Sequence, residues 1–171
     1  MNEQKIKTYT DFVLPPSVVT RRDVSHLIRD AEWVDNEMTT AQVRAKAGSN
    51  TPTEAAISGT FAEFLEQNKL TFDGSNERSA LIKQLQLLKE KVPVIHMTFA
   101  VKADAESLQK LVAWVRESIH PQAVIEVGLQ PALVAGVYLR TPNKVHDLSV
   151  RALLAGRHEP LVKELEALRG N

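Results

Sequence analysis

The spacing of apolar residues divides the chain into a helical first part and a mixed second part. Between Thr20 and Glu90 apolar residues recur every three or four positions, which is the spacing of one helix face. From Val94 to Val101 they recur at every second position, which is the spacing of a half-buried strand. We therefore predict an α+β protein with its boundary near Lys91–Pro93: a small N-terminal helical bundle, then a small sheet packed with helices.

The first predicted helix begins at a capping pattern. Thr20 is a suitable N-cap, and Asp23 stands where a capping box places its acid. We expect this helix to end near Thr39–Thr40, because β-branched polar side chains compete for backbone hydrogen bonds. A second helical piece, Ala41 to Ala47, is expected to stop at Gly48.

Two more helices are predicted before the boundary. One begins at Thr51–Pro52, since proline is tolerated in a first helical turn. The other runs from about Glu77 to Glu90. Residues 1–16 are polar and end in two prolines, so they are interpreted as an extended leader before a helical domain at residues 17–92.

The second domain, residues 93–171, is predicted to contain strand, helix, strand, hairpin, helix and helix in that order. The hairpin strands are Val134–Arg140 and Lys144–Leu148, joined by the turn Thr141–Pro142–Asn143. Gly136 near the start of the first strand indicates a bulge or a close backbone approach.

The predicted C-terminal helix begins near Pro160 and has one apolar stripe. A short helix with such a stripe is not stable alone in water, so it must dock on another surface. Its own sheet and a foreign helix both remain open as that surface. The candidate partner-binding residues are therefore Leu161, Leu165 and Leu168.

The overall composition excludes several classes of function. The chain has 21 basic residues (Lys and Arg) and 21 acidic residues (Asp and Glu), so its formal net charge is zero. A neutral chain argues against tight nucleic-acid binding and against membrane binding driven by charge alone. The absence of cysteine excludes disulfides and thiolate catalysis. No apolar run approaches the roughly 20 residues needed to cross a bilayer, and the N-terminus has no apolar signal-peptide core. We therefore expect a soluble cytoplasmic protein.

Candidate catalytic chemistry is sparse. The five histidines show no metal-binding spacing, and the chain has no phosphate-binding glycine loop. His146, Asp147 and Ser149 are near neighbours on one predicted strand, where adjacent side chains point to opposite faces. We therefore expect no catalytic, metal or cofactor-binding residues and a chain that is not an enzyme. Trp33 and Trp114 are expected to pack in the core or at a domain interface, with exposed contact to a partner as the alternative.

Two other classes of function stay open. Arg21–Arg22 begin a segment, residues 20–34, with some features of a helix-turn-helix, which would fit a nucleic-acid-binding regulatory module. A small enzyme with an unfamiliar site would need a pocket lined by convergent polar groups.

Residues 131–151, here called the signature segment, carry a family resemblance. They follow the pattern V-D-P-S-L-I-G-G-V-x-V-R-x-G-D-K-V-x-D-G-S-V-R, and the matching residues are Pro131, Leu133, Gly136, Val137, Arg140, Lys144, Val145, Asp147, Ser149, Val150 and Arg151. This run resembles the C-terminal signature of the delta subunit of the rotary F-type ATP synthase, the family of the oligomycin-sensitivity-conferring protein. The departures are Gln130, Ala135, Pro142, Asn143 and Leu148, the last being bulky where the family has glycine.

The resemblance implies a non-catalytic stator component that supports proton-driven ATP synthesis. The first half of the chain would bind the N-termini of the alpha subunits in the catalytic head, and the second half would bind the b subunit of the peripheral stalk. It further implies a monomer within a hetero-oligomeric complex, with no cofactor, no nucleic acid and no direct membrane insertion. The location implied is peripheral, on the cytoplasmic face of the inner or cell membrane.

Overall fold

The computed structural model describes residues 7–48, 56–141 and 143–156 and confirms the α+β class. The helices within these residues are α1 (Arg21–Lys46), α2 (Gly59–Asn68), α3 (Ser75–Lys91), α4 (Ala105–Ser118) and α5 (Val150–Gly156). The strands are β1 (Val94–Phe99), β2 (Val124–Leu129), β3 (Gly136–Arg140) and β4 (Val145–Ser149). Short 3-10 turns lie at Tyr9–Asp11 and Pro131–Leu133.

The described residues form two compact units. The first unit comprises the described residues up to Pro93 together with Gln109–Val124. The second comprises Val94–Leu108 together with the described residues from Ile125 onward. Helix α4 contributes residues to both units, because the division falls after Leu108.

Helix α1 begins as predicted but is longer than predicted. The capping box is present: the Asp23 amide donates to Thr20 Oγ1 at 3.3 Å, and the Thr20 amide donates to the Asp23 carboxylate at 2.7 Å. The break expected at Thr39–Thr40 is wrong, since one helix continues to Lys46. Both threonines are exposed, and the strong helix formers that follow them sustain the helix. Gly48, with φ of +86°, lies just beyond its end.

Helices α2 and α3 correct the predicted starting points. The expected start at Thr51–Pro52 lies outside the described residues, but residues 56–58 are not helical and α2 begins at Gly59. Its cap is Ser58, whose hydroxyl accepts from the Phe61 amide at 3.2 Å. Helix α3 extends the predicted Glu77–Glu90 range only slightly at each end.

The core of the first unit is formed by one face of each long helix together with the segment before α1. Trp33 and Trp114 are both about half exposed, so neither packs in the core as expected. Trp33 lies beside the buried face of α1 rather than on it. The buried apolar residues of these elements are Phe12, Leu14, Val18, Val19, Val24, Leu27, Ile28, Ala31, Val34, Phe61, Phe64, Leu81, Leu85, Leu88, Val112 and Val115.

The described part of the polar leader, residues 7–16, is built into the first unit together with the two residues that follow it. Phe12 and Leu14 are buried, which the polar composition of the segment did not indicate. The buried Asn68 side chain pairs with the Val13 backbone, accepting from its amide and donating to its carbonyl, each at 2.8 Å. Gln122 donates to the Phe12 carbonyl at 2.9 Å. These amides satisfy backbone groups that would otherwise be buried without partners.

Arg116 of α4 binds the same segment through main-chain oxygens. Its guanidinium donates to the carbonyls of Leu14 at 3.1 Å, Pro15 at 3.0 Å and Val18 at 2.5 Å, and to that of Ala123 at 3.1 Å. Burial lowers the pKa of Arg116 to about 10, so the side chain is still protonated at neutral pH. A single charged group therefore satisfies four carbonyl oxygens, and the planar guanidinium is the side chain that offers enough donors for this.

The second unit is built on a four-stranded sheet in the order β2-β1-β3-β4. β1 pairs antiparallel with β3, and β3 antiparallel with β4. β1 and β2 run parallel, because the Val124 amide donates to Pro93 at one end and the Gln130 amide to Phe99 at the other. The predicted hairpin is confirmed. Its first strand begins at Gly136, two residues later than predicted, and its second strand is shifted by one residue to Val145–Ser149.

We predict that Arg116→Met lowers the free energy of unfolding by about 2–4 kcal/mol, because four carbonyl oxygens lose a charged donor. Arg22→Met, at an exposed position of α1, is the matched control and should change stability by less than about 0.5 kcal/mol. Urea denaturation followed by circular dichroism measures both. Equal stabilities for the two variants would contradict the structural role given to Arg116.

Candidate partner-binding surface

Within the signature segment, the backbone at the start of β3 lies in close contact with the backbone at the end of β4. Gly136 pairs with Ser149 in the β3–β4 ladder and has φ of +96°. A Cβ atom on Gly136 would lie 2.4 Å from the Leu148 carbonyl oxygen and 2.7 Å from Ser149 Cα. The close backbone approach predicted for this glycine is therefore present, and two separate features of the site require the absence of a side chain.

The residues just before Gly136 form a strained turn. Val134 has φ of +63° and ψ of −55°, and the Ala135 amide donates to the Leu133 carbonyl at 2.7 Å. These values describe a classic γ-turn, which is rare, and a β-branched residue makes it more costly. Strain of this kind costs about 1–3 kcal/mol. The Val134 side chain is 77% exposed, so the turn gains nothing by burying it.

Asp147 and Ser149 shape the corner between β4 and α5. The Ser149 amide donates to Asp147 Oδ1 at 3.0 Å, and Ser149 Oγ accepts from the Ala152 amide at 3.2 Å. Ser149 is therefore the N-cap of α5. Hydrogen bonds from the Ser149 hydroxyl and amide, together with the positive charge of Arg151, lower the pKa of Asp147 below its usual range.

The other signature residues also lie at turns and strand ends. Leu133 is buried in the 3-10 turn that Pro131 begins. Arg140 and Lys144 are exposed and flank the hairpin turn, which is closed by the Thr141 amide donating to the Lys144 carbonyl at 2.8 Å. Val137 lies in β3, while Val150 and Arg151 are exposed in the first turn of α5. Among the signature residues, Pro131, Gly136, Asp147 and Ser149 therefore specify the path of the backbone.

One face of the sheet carries a row of apolar side chains that crosses all four strands. Phe99 of β1 is opposite Val137 of β3, and Val137 is opposite Leu148 of β4. On the other side of β1, partners are 30 residues apart: Glu126 pairs with His96, and Gly128 contacts Thr98. This spacing places Leu129 beside Phe99. We call Leu129, Phe99, Val137 and Leu148 the apolar row.

The apolar row lies at the exposed end of a face that is buried at its other end. Ile95 and Ile125, which share this face at its other end, are buried. Leu129 and Leu148, on the two edge strands, are 61% and 63% exposed. Exposed leucines at both ends of one continuous apolar row are typical of a protein-binding surface. The sequence pattern did not predict this surface, although the bulky Leu148 in place of a signature glycine was a signal for it.

The opposite face of the sheet carries several polar side chains. His96 Nδ1 lies 3.1 Å from Glu126 Oε2, and both side chains are exposed. Tyr138, Asp147 and Ser149 border an open depression of about 610 Å³ next to α5. His146 is opposite Leu139, so it shares a face with the apolar row, and a Ser-His-Asp site is not assembled.

Three further predictions were compared with the described residues. No three or more histidine or acidic side chains in residues 7–48, 56–141 and 143–156 are arranged to hold a metal ion. Among the same residues, no helix has the length and apolarity needed to span a bilayer. Residues 20–34 enter one continuous helix, α1, so the two-helix arrangement of a helix-turn-helix is not formed there. Leu161, Leu165 and Leu168 lie outside the described residues.

Comparison with known proteins gives a sparse result. No family model and no curated protein matches the chain. Among solved structures, the chain is similar to one chain of the Toxoplasma gondii mitochondrial ATP synthase hexamer. The identity is 19% and the TM-score 0.35, covering 83% of this chain and 96% of that one. A similarity at this level carries no argument about function.

We predict that Gly136→Val lowers the thermal midpoint by about 5 °C or more, because the added atoms collide with the Leu148 carbonyl and φ becomes unfavourable. Gly59→Ala is the matched control, since a Cβ atom there meets nothing within 4 Å and lies in the first turn of α2. Differential scanning calorimetry distinguishes them. An unchanged midpoint for Gly136→Val would mean that the close approach is not required.

We predict that the Asp147 carboxyl titrates below 3.8 and that Ser149→Ala moves its pKa upward, because the hydroxyl donor is lost. The pKa of Asp147 is lower in the folded chain than in the unfolded chain, so the ionised carboxylate stabilises the fold above pH 3.8. This stabilisation is lost as the pH falls through the pKa of the folded state. Carboxyl carbon NMR measures the titration. Ser107→Ala, which removes a hydrogen bond to Asp104, is the control and should leave Asp147 unchanged.

Proposed function

We propose that this chain is a non-catalytic stator component of a rotary F-type ATP synthase, similar to the delta subunit. In this role the first unit binds the alpha-subunit N-termini of the catalytic head, and the second unit binds the b subunit of the peripheral stalk. The chain acts as a monomer within the complex, needs no cofactor, and reaches the membrane through its partners.

The observation that carries the proposal is the ordered signature match together with its geometry. Gly136, Asp147 and Ser149 are separated in the pattern, yet they meet at one corner. The glycine permits the backbone contact, and the serine caps the helix that follows. A match in which distant pattern positions have linked physical roles is more informative than a match in residue identity alone.

The apolar row supports a protein partner for the second unit. Neighbouring strands are about 4.8 Å apart, so four strands present a face about 14 Å wide. This width is suited to one amphipathic α-helix, which is about 10–12 Å in diameter with its side chains. The partner helix would supply aliphatic side chains at helical spacing to contact Leu129 and Leu148. A stalk helix lying on this face fits the role proposed for the b subunit.

The mechanical task explains why apolar contacts would be used. A stator joint must hold the catalytic head still while the central shaft turns, so its partners must dissociate slowly. Among related interfaces, affinity differences lie mostly in the dissociation rate. A well-packed apolar centre contributes strongly to slow dissociation, whereas exposed ion pairs contribute little and weaken with salt. The assignment of the first unit to the head rests on the family resemblance.

Co-purification tests the proposal. The full-length chain is tagged, membranes are solubilised gently, and the proteins recovered with the tag are identified by mass spectrometry. We expect the alpha and b subunits of the ATP synthase among them. Recovery of the chain without any ATP synthase subunit would overturn the assignment, and salt-sensitive recovery of nucleic acid would favour the regulatory alternative.

We predict that Leu129→Asp combined with Leu148→Asp reduces recovery of the b subunit at least tenfold, because two apolar contacts are replaced by charges. Val43→Asp replaces an aliphatic side chain of equal exposure, 62%, on α1 and is the matched control. Circular dichroism melting of each variant establishes that the fold is retained. Undiminished recovery of the b subunit with the double variant would place its binding surface elsewhere.

A further inference from the structure

Residues 7–18, here called the docked segment, are held in the first unit by side chains that bind main-chain atoms. The Gln84 side chain accepts a hydrogen bond from the Tyr9 amide at 2.9 Å. Gln122 donates to the carbonyl oxygens of Tyr9 at 2.6 Å and of Phe12 at 2.9 Å. Main-chain hydrogen bonds of this kind supply affinity when a protein binds an extended peptide.

Two further side chains continue the same pattern along the segment. Asn68 pairs with the amide and carbonyl of Val13, and Arg116 donates to three carbonyl oxygens beyond it. Asn68 and Gln122 are buried, and buried amide groups need hydrogen-bond partners. These groups are therefore arranged to receive a polypeptide backbone. We call the region lined by Asn68, Gln84, Arg116 and Gln122 the docking groove.

The side chains of the docked segment alternate between buried and exposed positions. Phe12 and Leu14 are buried, whereas Val13 between them is 55% exposed. The Phe12 ring packs edge to face against the Phe64 ring, with the centroids 5.4 Å apart. Pockets for alternate side chains give specificity when an extended peptide is bound. Pro15–Pro16 follow these anchors, and proline favours an extended backbone before docking, which lowers the entropic cost.

The start of α1 is held by contacts that do not involve the docked segment. Its capping box joins Thr20 to Asp23, and the Val19 amide also donates to the Asp23 carboxylate at 3.0 Å. All these contacts lie within five residues of one another along the chain. A segment that precedes a locally capped helix and is joined to its groove through side chains can open without unfolding that helix.

We infer that the docking groove is a peptide-binding site and that the chain's own residues 7–18 occupy it. The ligand class is an extended segment with an aromatic residue, an aliphatic residue two positions later and proline directly after that. The covalent tether gives the docked segment an effective concentration on the order of millimolar, so it excludes free peptides of moderate affinity. The inference does not rest on the proposed function.

Peptide binding in trans tests the inference with the full-length chain. The probe is a fluorescein-labelled peptide with the sequence of residues 7–18, and fluorescence anisotropy measures its binding. Phe12→Ser combined with Leu14→Ser in the chain removes both apolar anchors of its own segment and frees the groove. We expect the probe to bind this double variant about tenfold or more tightly than the wild-type chain. A labelled peptide with the same two substitutions is the matched control and should bind neither chain.

Circular dichroism melting establishes that the double variant is folded. Three results with the folded variant would overturn the inference: no binding of the probe, equal binding of the probe to the variant and the wild-type chain, or equal binding of the control peptide. Each would mean that the groove does not select a peptide of this class.

Amide hydrogen exchange of the wild-type chain measures opening of the groove without any substitution. A segment that docks as a ligand opens locally, so the Val13 amide should exchange about tenfold or more faster than the Leu85 amide of α3. Both rates are corrected for the intrinsic exchange rates of the sequence. Equal protection of the two amides would show that residues 7–18 leave only when the first unit unfolds. That result would overturn the inference even if the double variant failed to fold.

Discussion

The contact of the Gly136 backbone with Leu148 and Ser149 is the constraint on which the second unit depends. The β3–β4 register brings the start of one strand to the end of the other, where a Cβ atom on residue 136 would lie 2.4 Å from a carbonyl oxygen. That register sets which β4 side chains share a face with Val137. It therefore directs Leu148 into the apolar row and turns Asp147 and Ser149 toward the opposite face and the start of α5.

The strained turn at the same corner is held in place by the surrounding fold. A γ-turn at an exposed valine costs free energy and returns none through burial, so the rest of the fold must hold it in place. The turn directs the chain from the 3-10 segment into β3 over very few residues. Strained backbone beside an exposed apolar row is consistent with a surface arranged for binding, where the shape presented to a partner outweighs local stability.

The first unit shows how polar side chains can hold an extended segment inside a core. Residues 7–18 have no sheet partner in the described structure, and their backbone groups are satisfied instead by Asn68, Gln122 and Arg116. These side chains come from α2, from α4 and from the segment after α4, so three separate parts of the chain are joined through one segment. Buried polar groups used in this way favour a single arrangement, because each alternative leaves carbonyls without donors.

The sequence by itself determined the features that depend on neighbouring residues. The capping box at Thr20, the cap at Ser149, the hairpin and the need for glycine at position 136 all follow from local spacing and local stereochemistry. The tertiary structure decided the features that depend on distant partners. Arg116 meets carbonyls about 100 positions away, and the leader is buried although its composition is polar. The apolar row joins four strands whose order along the sheet differs from their order along the chain, so no single stretch of sequence contains it.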